Sequence, residues 1–343
     1  MRVNFIIPNR RLTGGLRVNY IYANYLANKG HDVCFYLPAF TYYTKEIGIP
    51  LWIKSSFGNM IKKERWFDCH FPVRVVPSIS DQFIRDADAV IASSWQTAVD
   101  VDRLNIRKGR KYYFIQGDET FYEDKETVLN TYGLDLRIIT ITSHLKEKIL
   151  PYNHDVHVVY NGLDDSEFLY TEKKRNNELC VMVLFHEAPY KGTEEALSII
   201  EEAFNRGLNI TPIIYGRRIT KKFPENYIVA ENPKREDLIK LFRHADIYLF
   251  TSFLDAWGLP VVEAMSNKCA VIGRNIGALE ELYNGNNAVI ASEKDEFIEA
   301  IQYLNNNRDR LYSIQDEGYK TVQGLSWEKS AQTFEKIIST QNE

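Results

Sequence analysis

The stretch IYLFTSFLDAWGLPVVEAMSN, residues 247–267, begins as an apolar run and ends as a helical pattern. Residues 247–251 have the composition of a buried strand, and residues 260–267 form a helical pattern that Pro260 opens, where its missing N–H costs nothing. Strand–loop–helix units of this kind build parallel sheets, in which ligands lie outside the carboxyl ends of the strands. We therefore expect a binding site in the loop between the two elements.

The same alternation recurs along the whole chain. In the first half, strands are predicted at residues 3–7, 33–37, 89–93, 112–116, 138–142 and 157–160, with a helix at 16–29. In the second half, strands are predicted at 179–185, 210–215, 247–251 and 270–273, with helices at 194–205, 235–244, 260–267 and 279–283. A last helix at about 327–338 places Trp327, Ala331, Phe334 and Ile338 on one stripe.

Length and one polar segment predict two domains. A chain of 343 residues is about twice the usual domain size. Residues 171–178, TEKKRNNE, are all polar or charged and are the best candidate for a linker. The predicted fold class is α/β, with two Rossmann-like doubly wound domains at 1–170 and 179–325 and a terminal segment at 326–343.

Composition excludes several classes of protein. The net charge of −4 and the pI of 6.1 give no global sign of nucleic-acid binding. The four cysteines lie far apart without a Cys-x-x-Cys pair, which is typical of a reducing compartment. Because no leader precedes the first strand and no apolar run reaches the ~18 residues of a membrane span, we expect a cytoplasmic protein.

Two segments are rich in cations. Residues 54–65 contain four cations and one acid beside several aromatic residues, and residues 103–111 contain five cations and no acid. Both would suit peripheral contact with an anionic membrane at its inner face, or a lipid-pyrophosphate acceptor. The alternative is an ordinary solvated basic face.

Two carboxylates flank the loop of the opening stretch. Glu263 is expected in the first helical turn, and Asp255 lies in the loop with seven residues between the two. Such carboxylates can accept hydrogen bonds from vicinal hydroxyls, while the amides of Trp257, Gly258 and Leu259 face a phosphate. A sugar diphosphate would need that combination. The alternative is a dipole-stabilising Glu263 and a solvated Asp255.

A second loop, FHEAPYKGTEE at residues 185–195, places Lys191 before a helix that Thr193 is expected to cap. A lysine beside a helix N-terminus is a natural partner for phosphate. Arg217 and Arg218 follow another strand and add guanidinium groups at the same sheet edge. Lysines before helices are common, so Lys191 alone is weak support for a site.

The N-terminal half contains two polar strand ends. Gly14 and Gly15 follow the first strand without the Gly-x-Gly-x-x-Gly spacing of a dinucleotide site, which argues against hydride transfer. They would let backbone approach a ligand, or simply form a turn. Gln116 ends another strand and is followed by Asp118 and Glu119.

No metal site is predicted. Asp86-Ala87-Asp88 has an Asp-x-Asp form that can hold Mg²⁺, but it is expected at a helix end before a strand, away from the carboxyl edge. The seven histidines show no zinc spacing. No cofactor is expected; the predicted ligand is a sugar diphosphate, which would be a substrate.

Taken in order, these motifs resemble the retaining glycosyltransferases of family 4, which have the two-domain GT-B fold. The resemblance covers essentially the whole chain. It rests on Gly14-Gly15, Tyr160-Asn161-Gly162-Leu163-Asp164, Lys191-Gly192, His244-Ala245-Asp246-Ile247 before Thr251-Ser252, the acids around Gly258-Leu259-Pro260, and the loop from Asn275 to Glu281.

The resemblance implies two domains facing across a cleft, with the last helix crossing back onto the N-terminal domain. It implies that Lys191 binds the donor diphosphate, Glu263 the ribose and Asp255 the transferred sugar, with Gly14 and Gly15 lining the cleft. It further implies transfer of a hexose or deoxyhexose, in the manner of a rhamnosyltransferase, to a glycan or lipid-linked acceptor for cell-surface polysaccharide. Retention without a separate nucleophile and base is also implied, since the leaving phosphate takes the acceptor proton.

Three residues depart from the family pattern. Asp255 is one methylene shorter than the usual glutamate, and His186 stands where an arginine is usual, with Arg217 as a substitute. Gln116 stands where many members have a histidine. Two alternatives share the architecture: a non-hydrolysing nucleotide-sugar 2-epimerase, against which the Gly-Leu-Pro acid loop argues, and a catalytically silent subunit that only binds nucleotide-sugar.

Overall fold

The computed structural model describes residues 1–10, 13–42, 48–61, 67–121, 124–169 and 171–340. They fall into two compact units. The first comprises Met1–Gly162 together with Trp327–Glu343, and the second comprises Leu163–Ser326. Each unit is a parallel sheet with helices between its strands, which confirms the predicted α/β class.

The described residues of the first unit form a seven-stranded parallel sheet. Its elements up to residue 158 are β1 (Arg2–Ile6), α1 (Gly14–Asn28), β2 (Asp32–Pro38), α2 (Gly48–Ile61), β3 (Val73–Val76), β4 (Ala89–Ala92), α3 (Trp95–Arg103), β5 (Arg110–Ile115), α4 (Lys125–Tyr132), β6 (Arg137–Thr140), α5 (Ser143–Ile149) and β7 (Val156–Val158). The strand order is β3-β2-β1-β4-β5-β6-β7. The order reverses between β1 and β4, the position where open sheets of this kind bind ligands.

In the second unit, the described residues form a six-stranded parallel sheet. Its elements are β8 (Leu179–Leu184), α6 (Thr193–Asn205), β9 (Ile210–Gly216), β10 (Ile228–Glu231), α7 (Arg235–His244), β11 (Ile247–Phe250), α8 (Leu259–Ser266), β12 (Ala270–Gly273), α9 (Ala278–Leu282), β13 (Val289–Ile290), α10 (Lys294–Asn306) and α11 (Arg308–Val322). The strand order is β10-β9-β8-β11-β12-β13, so the reversal here lies between β8 and β11.

The last helix, α12 (Trp327–Ser339), belongs to the first unit. The predicted stripe of apolar side chains is buried along its length. The Phe334 ring lies 5.0 Å from the ring of Tyr22 and 5.1 Å from that of Phe114. The Arg110 guanidinium also donates to the main-chain oxygen of Ile338 at 2.7 Å. Helix α12 therefore completes the aromatic core on one face of the first sheet.

The polar segment 171–178 does not behave as a free linker. The Lys173 ammonium donates to the main-chain oxygens of Phe242, Ala245 and Asn267, where α7 and α8 end. A cation there satisfies the carbonyls that a helix leaves unpaired at its C-terminus. The segment therefore belongs to the second unit, and the division of the chain precedes it, between Gly162 and Leu163.

Candidate functional site

The reversal point of the second sheet brings together the two residues that sequence placed in separate loops. Lys191 follows β8 and Asp255 follows β11, which are neighbouring strands. The Lys191 Nζ lies 2.6 Å from Asp255 Oδ2, and both side chains are 18% exposed. Asp255 Oδ1 accepts a second bond, from the Gly258 amide at 3.0 Å. A cation and an anion are thus fixed together at the carboxyl edge of the sheet.

Gly192 allows this close approach. Its φ of +68° is in the left-handed region, and a Cβ added there would lie 2.1 Å from the main-chain oxygen of Thr251. Gly192, not Thr193, is the cap residue of α6, so the predicted cap at Thr193 is wrong. The Thr193 hydroxyl instead accepts from the His186 amide and donates to the His186 carbonyl, both at 2.9 Å. The residue therefore ties the loop after β8 to the start of α6.

Glu263 is buried on α8 and is paired with a residue that sequence analysis missed. Helix α8 begins at Leu259, so Glu263 lies beyond the first turn where it was predicted. Its Oε1 lies 2.8 Å from Arg235 Nη2, and Arg235 Nε donates to Glu167 Oε1 at 2.8 Å. Two buried carboxylates therefore share one guanidinium. Nothing in the local sequence around Arg235 or Glu167 distinguishes them from ordinary surface residues.

Electrostatics in this cluster follow from burial and pairing. Burial raises the pKa of Glu167, even though Arg235 lowers it. Burial alone would lower the pKa of Arg235, but the carboxylates of Glu263 and Glu167 outweigh it and raise that pKa above its usual value. The guanidinium therefore stays charged between the two carboxyl groups.

The predicted amide donors around Gly258 are partly engaged already. The Gly258 amide donates to Asp255, and the Trp257 carbonyl accepts from the Ala278 amide at 2.6 Å. The Trp257 side chain is buried, so it supports the loop from inside the unit. Leu259 opens α8 with Gly258 as its cap residue.

His186 and Arg217 both lie at the same sheet edge with exposed side chains. His186 Nδ1 accepts from the Ala188 amide at 3.0 Å. Partial loss of solvent and the nearby Lys191 charge lower the pKa of His186. Within the described chain, Arg217 forms no ion pair, whereas the neighbouring Arg218 lies 3.7 Å from Glu187. Arg217 therefore remains available to an anion.

Arg274, which sequence analysis also missed, braces the loop after β11. Its Nη1 donates to the Thr251 carbonyl at 2.5 Å, and its Nη2 lies 2.7 Å from Glu195 Oε2 on α6. Its guanidinium also lies 4.0 Å from the centre of the Phe253 ring. These contacts fix the loop that contains Asp255 against the start of α6.

In the first unit, the structure brings Gln116 against the start of α1. A Cβ added at Gly15 would lie 2.8 Å from the Gln116 Cβ, so glycine allows this approach. Both polar atoms of the Gln116 carboxamide are buried, and they have no hydrogen-bond partner among the described residues. An unpaired buried amide costs ~1–3 kcal/mol, so this group is suited to a polar ligand.

The two acids after Gln116 have internal partners. Asp118 pairs with Lys148, and Glu119 accepts from the Tyr113 hydroxyl and from the Trp95 amide. Burial raises the pKa of Glu119 to about 7. These carboxylates hold the end of β5 in place.

The Asp-x-Asp sequence is also used internally. Asp86 lies 2.9 Å from Lys108 Nζ, and Asp88 accepts from the Arg2 amide at 2.7 Å. The pair lies in irregular chain before β4 rather than at the predicted helix end, on the amino side of the sheet. No cluster of three His, Cys, Asp or Glu side chains suited to a metal occurs in the described ranges.

The cation-rich segment 103–111 is largely occupied by internal contacts. Lys108 pairs with Asp86, Lys111 donates to the Asp102 carbonyl, and Arg110 binds α12. Most of segment 54–65 falls in α2, and residues 62–65 lie outside the described residues. No helix in the described part of the chain is long and apolar enough to span a membrane.

Comparisons with known proteins show which family and which relatives the chain resembles. Residues 169–321 match the family "Glycosyl transferases group 1". A "Probable sucrose-phosphate synthase" from Thermosipho melanesiensis is 26% identical over 234 residues, which cover 59% of this chain and 54% of that protein. The match thus spans about half the length of this curated relative.

Solved structures match over nearly the whole chain. Anabaena Alr3699/HepE, in complex with UDP and glucose, superposes with a TM-score of 0.73 at 14% identity, covering 99% of this chain and 100% of that one. The sucrose-phosphate synthase of Thermosynechococcus elongatus gives a TM-score of 0.71 at 13% identity, with 98% of each chain covered. Residues 169–321 are therefore similar to the group 1 glycosyl transferases, and the chain has the fold of the GT-B glycosyltransferases.

Proposed function

We propose that this protein transfers a hexose or deoxyhexose from a nucleoside-diphosphate sugar to a glycan or lipid-linked acceptor, with retention at the anomeric carbon. The observation that supports it best is the Lys191–Asp255 pair at the reversal point of the second sheet. An ammonium and a carboxylate held 2.6 Å apart match the two unlike ends of such a donor, the diphosphate and the sugar hydroxyls.

Lys191 would act on the leaving group. When the glycosidic bond breaks, negative charge grows on the diphosphate, and a preorganised cation in a site with little water stabilises that charge. The start of α6 lies directly after Lys191 and has no side-chain cap, so its amides add positive potential. We propose that these groups and Arg217 do this work without a metal ion.

Asp255 and Glu263 would hold the two sugars of the donor. Asp255 keeps free lone pairs on both oxygens while bound to Lys191 and Gly258, so it can also accept from hydroxyls of the transferred sugar. Glu263 sits in a buried cluster with Arg235, and its carboxylate oxygens are acceptors of the kind that suits the vicinal hydroxyls of a ribose. Gln116 would meet a polar group of the transferred sugar or the acceptor.

The proposed mechanism has no separate general base to take the acceptor proton, and this is compatible with retention of the anomeric configuration. The acceptor hydroxyl would attack the anomeric carbon on the side from which the diphosphate leaves. Its proton would pass to the departing phosphate oxygen, so the new glycosidic bond forms as the old one breaks. The role in cell-surface polysaccharide, and work at the inner face of the membrane, are part of the same proposal.

One assay tests the function. The full chain is incubated with labelled nucleoside-diphosphate sugars and excess EDTA, beginning with uridine diphosphate sugars because HepE was solved with UDP-glucose. We expect release of nucleoside diphosphate and a labelled product of retained configuration. An epimerised donor would identify an epimerase instead, and binding without turnover across the donor panel would identify a silent subunit. Products are also analysed for sucrose phosphate, which the name of the curated relative implies.

A further inference from the structure

Helix α2 is attached to the first unit by polar groups. Ser56 and Asn59 are buried, and they bind the chain just after β2 and the last residue of β2, respectively. Ser56 Oγ accepts from the Thr41 amide at 3.0 Å, and Asn59 Nδ2 donates to the Pro38 carbonyl at 3.1 Å. The Trp52 indole N–H donates to the Thr41 carbonyl. The inward face of α2 is thus held by hydrogen bonds.

The outward face of α2 is apolar. Ile49, Ile53 and Phe57 are 62%, 55% and 62% exposed. Residues four apart lie on one side of a helix, so the three form a single stripe about 12 Å long. Phe40 is also exposed, and its ring lies 6.2 Å from that of Trp52. A surface helix usually turns its apolar stripe inward, whereas this stripe of α2 faces outward.

The charge beside this stripe is positive. Lys54 is exposed and is the sole charged residue in the sequence of α2, GIPLWIKSSFGNMI. The sequence continues with Lys62, Lys63, Glu64 and Arg65, so residues 48–65 have a net charge of +3. An apolar stripe next to the exposed Lys54, followed in the sequence by a cation-rich stretch, complements a surface that is apolar inside and anionic outside.

We infer that the outward face of α2, together with Phe40, docks on a membrane that contains anionic lipid. A bilayer needs no complementary shape, whereas a stable protein interface buries ~800 Å² on each partner, more than these four side chains provide. Exposed isoleucine and phenylalanine enter the boundary between headgroups and acyl chains, and lysines bind the headgroups. The inference deepens the proposed function, because it names the surface through which the enzyme would meet a lipid-linked acceptor.

Co-sedimentation of the full chain with vesicles tests this docking without any substrate. Vesicles of phosphatidylcholine alone are compared with vesicles that also contain phosphatidylglycerol, at low and high salt. We expect binding to the anionic vesicles that weakens with salt. Replacing Ile53 and Phe57 together by serine should reduce the partition coefficient roughly tenfold or more, and Lys54→Gln should reduce it roughly fivefold.

A matched pair controls for general loss of surface apolarity. Val229 and Tyr303 of the second unit are 45% and 55% exposed, and their joint replacement by serine should leave vesicle binding unchanged. The inference is overturned if the wild type stays in the supernatant, or if Ile53→Ser with Phe57→Ser binds as the wild type does. It is equally overturned if the Ile53/Phe57 and Val229/Tyr303 double variants both lose vesicle binding. Sedimentation velocity that shows two copies of the chain joined through the outward face of α2 would also overturn it.

Donor turnover in solution separates this inference from the proposed function. Since α2 contributes no residue to the candidate site, the Ile53→Ser, Phe57→Ser variant should release nucleoside diphosphate from the donor as the wild type does. Failure of vesicle binding with normal turnover would remove the docking surface alone. Absence of donor turnover by a wild type that does bind vesicles would contradict the proposed function alone.

Discussion

Lys191 and Asp255 form an ion pair in the structure, so a donor bound as we propose must give each of them a further partner. Sequence analysis predicted both residues, because strand ends and helix starts are visible in the chain. It did not predict that they touch, since that contact depends on β8 and β11 being neighbours. Arg235, Glu167 and Arg274 were missed for the same reason, because their partners are far away in sequence.

Replacement of Lys191 tests its role on the leaving group. We expect Lys191→Ala to lower turnover by on the order of 10²–10³, the usual loss when one preorganised stabiliser is removed. Lys191→Arg should recover only part, because a planar guanidinium does not replace a compact ammonium in a fitted site. Turnover of both variants and the wild type is measured with EDTA. Full activity in Lys191→Ala, or abolition of wild-type activity by EDTA, would contradict the mechanism.

Substitutions of the two carboxylates, Glu263 and Asp255, should have different effects on nucleotide binding. Glu263→Gln should weaken the binding of free nucleoside diphosphate and of donor alike, because its proposed partner is the ribose. Asp255→Asn should spare nucleoside diphosphate and reduce transfer, because its proposed partner is the sugar. Calorimetric titration of both variants with nucleoside diphosphate measures the difference. Equal losses of affinity would show that the roles are assigned wrongly.

At the scale of elements, the sequence located ten of the thirteen strands in the described residues to within a few residues, because buried parallel strands are short, apolar and bounded by turns. It missed β3, β10 and β13, which lie at sheet edges and are only partly buried. It missed several helices, among them α2, whose apolar residues Ile49, Ile53 and Phe57 face outward and so give no sign of packing against a core. It also placed Glu263 in the first turn instead of just beyond it, because Pro260 was taken as the first helical residue while α8 begins one residue earlier, at Leu259.

The junction between β8 and α6 depends on Gly192. We expect Gly192→Ala to destabilise the protein by at least about 2 kcal/mol, since the left-handed backbone costs ~1–2 kcal/mol and the methyl group would also clash with the Thr251 carbonyl. Gly207→Ala is the matched control, because Gly207 has a φ of +75° but no atom within 4 Å of an added Cβ. Thermal melts of the two variants are compared. Equal shifts would mean that the close approach to Thr251 is unimportant.

At the scale of the whole molecule, two α/β units were predictable from the alternation of strands and helices alone. The place of division was not, because the most polar segment, 171–178, is tied to the second unit by the Lys173 ammonium. Polarity identifies residues that can face water, but it does not identify a buried cation that satisfies helix carbonyls.

Glu119 should make stability depend on pH. Its pKa is raised from an ordinary value of 4.5 to about 7, so the folded protein favours the protonated form. The contribution of the protonated Glu119 carboxyl to stability is fully present below pH 4.5 and is lost as pH rises through about 7. We expect the melting temperature of the wild type to fall over this range relative to Glu119→Gln, by an amount worth on the order of 3 kcal/mol.

Melting temperatures of the wild type, Glu119→Gln and an exposed control, Glu201→Gln, are measured at several pH values across that window. The control should follow the wild type. A parallel pH profile in Glu119→Gln would show that the carboxylate does not titrate in this way.

The membership of α12 in the first unit has a consequence for synthesis. The last strand of that unit ends at Val158, but Phe334, which fills its aromatic core, is made more than 170 residues later. At ~5–20 residues per second, the ribosome would need on the order of ten seconds or more to add them. During that interval the rings of Tyr22 and Phe114 lack their contact with the Phe334 ring. The N-terminal unit would therefore finish folding after the unit that follows it, and nascent chains stalled before residue 327 should bind chaperones that recognise exposed aromatic surface.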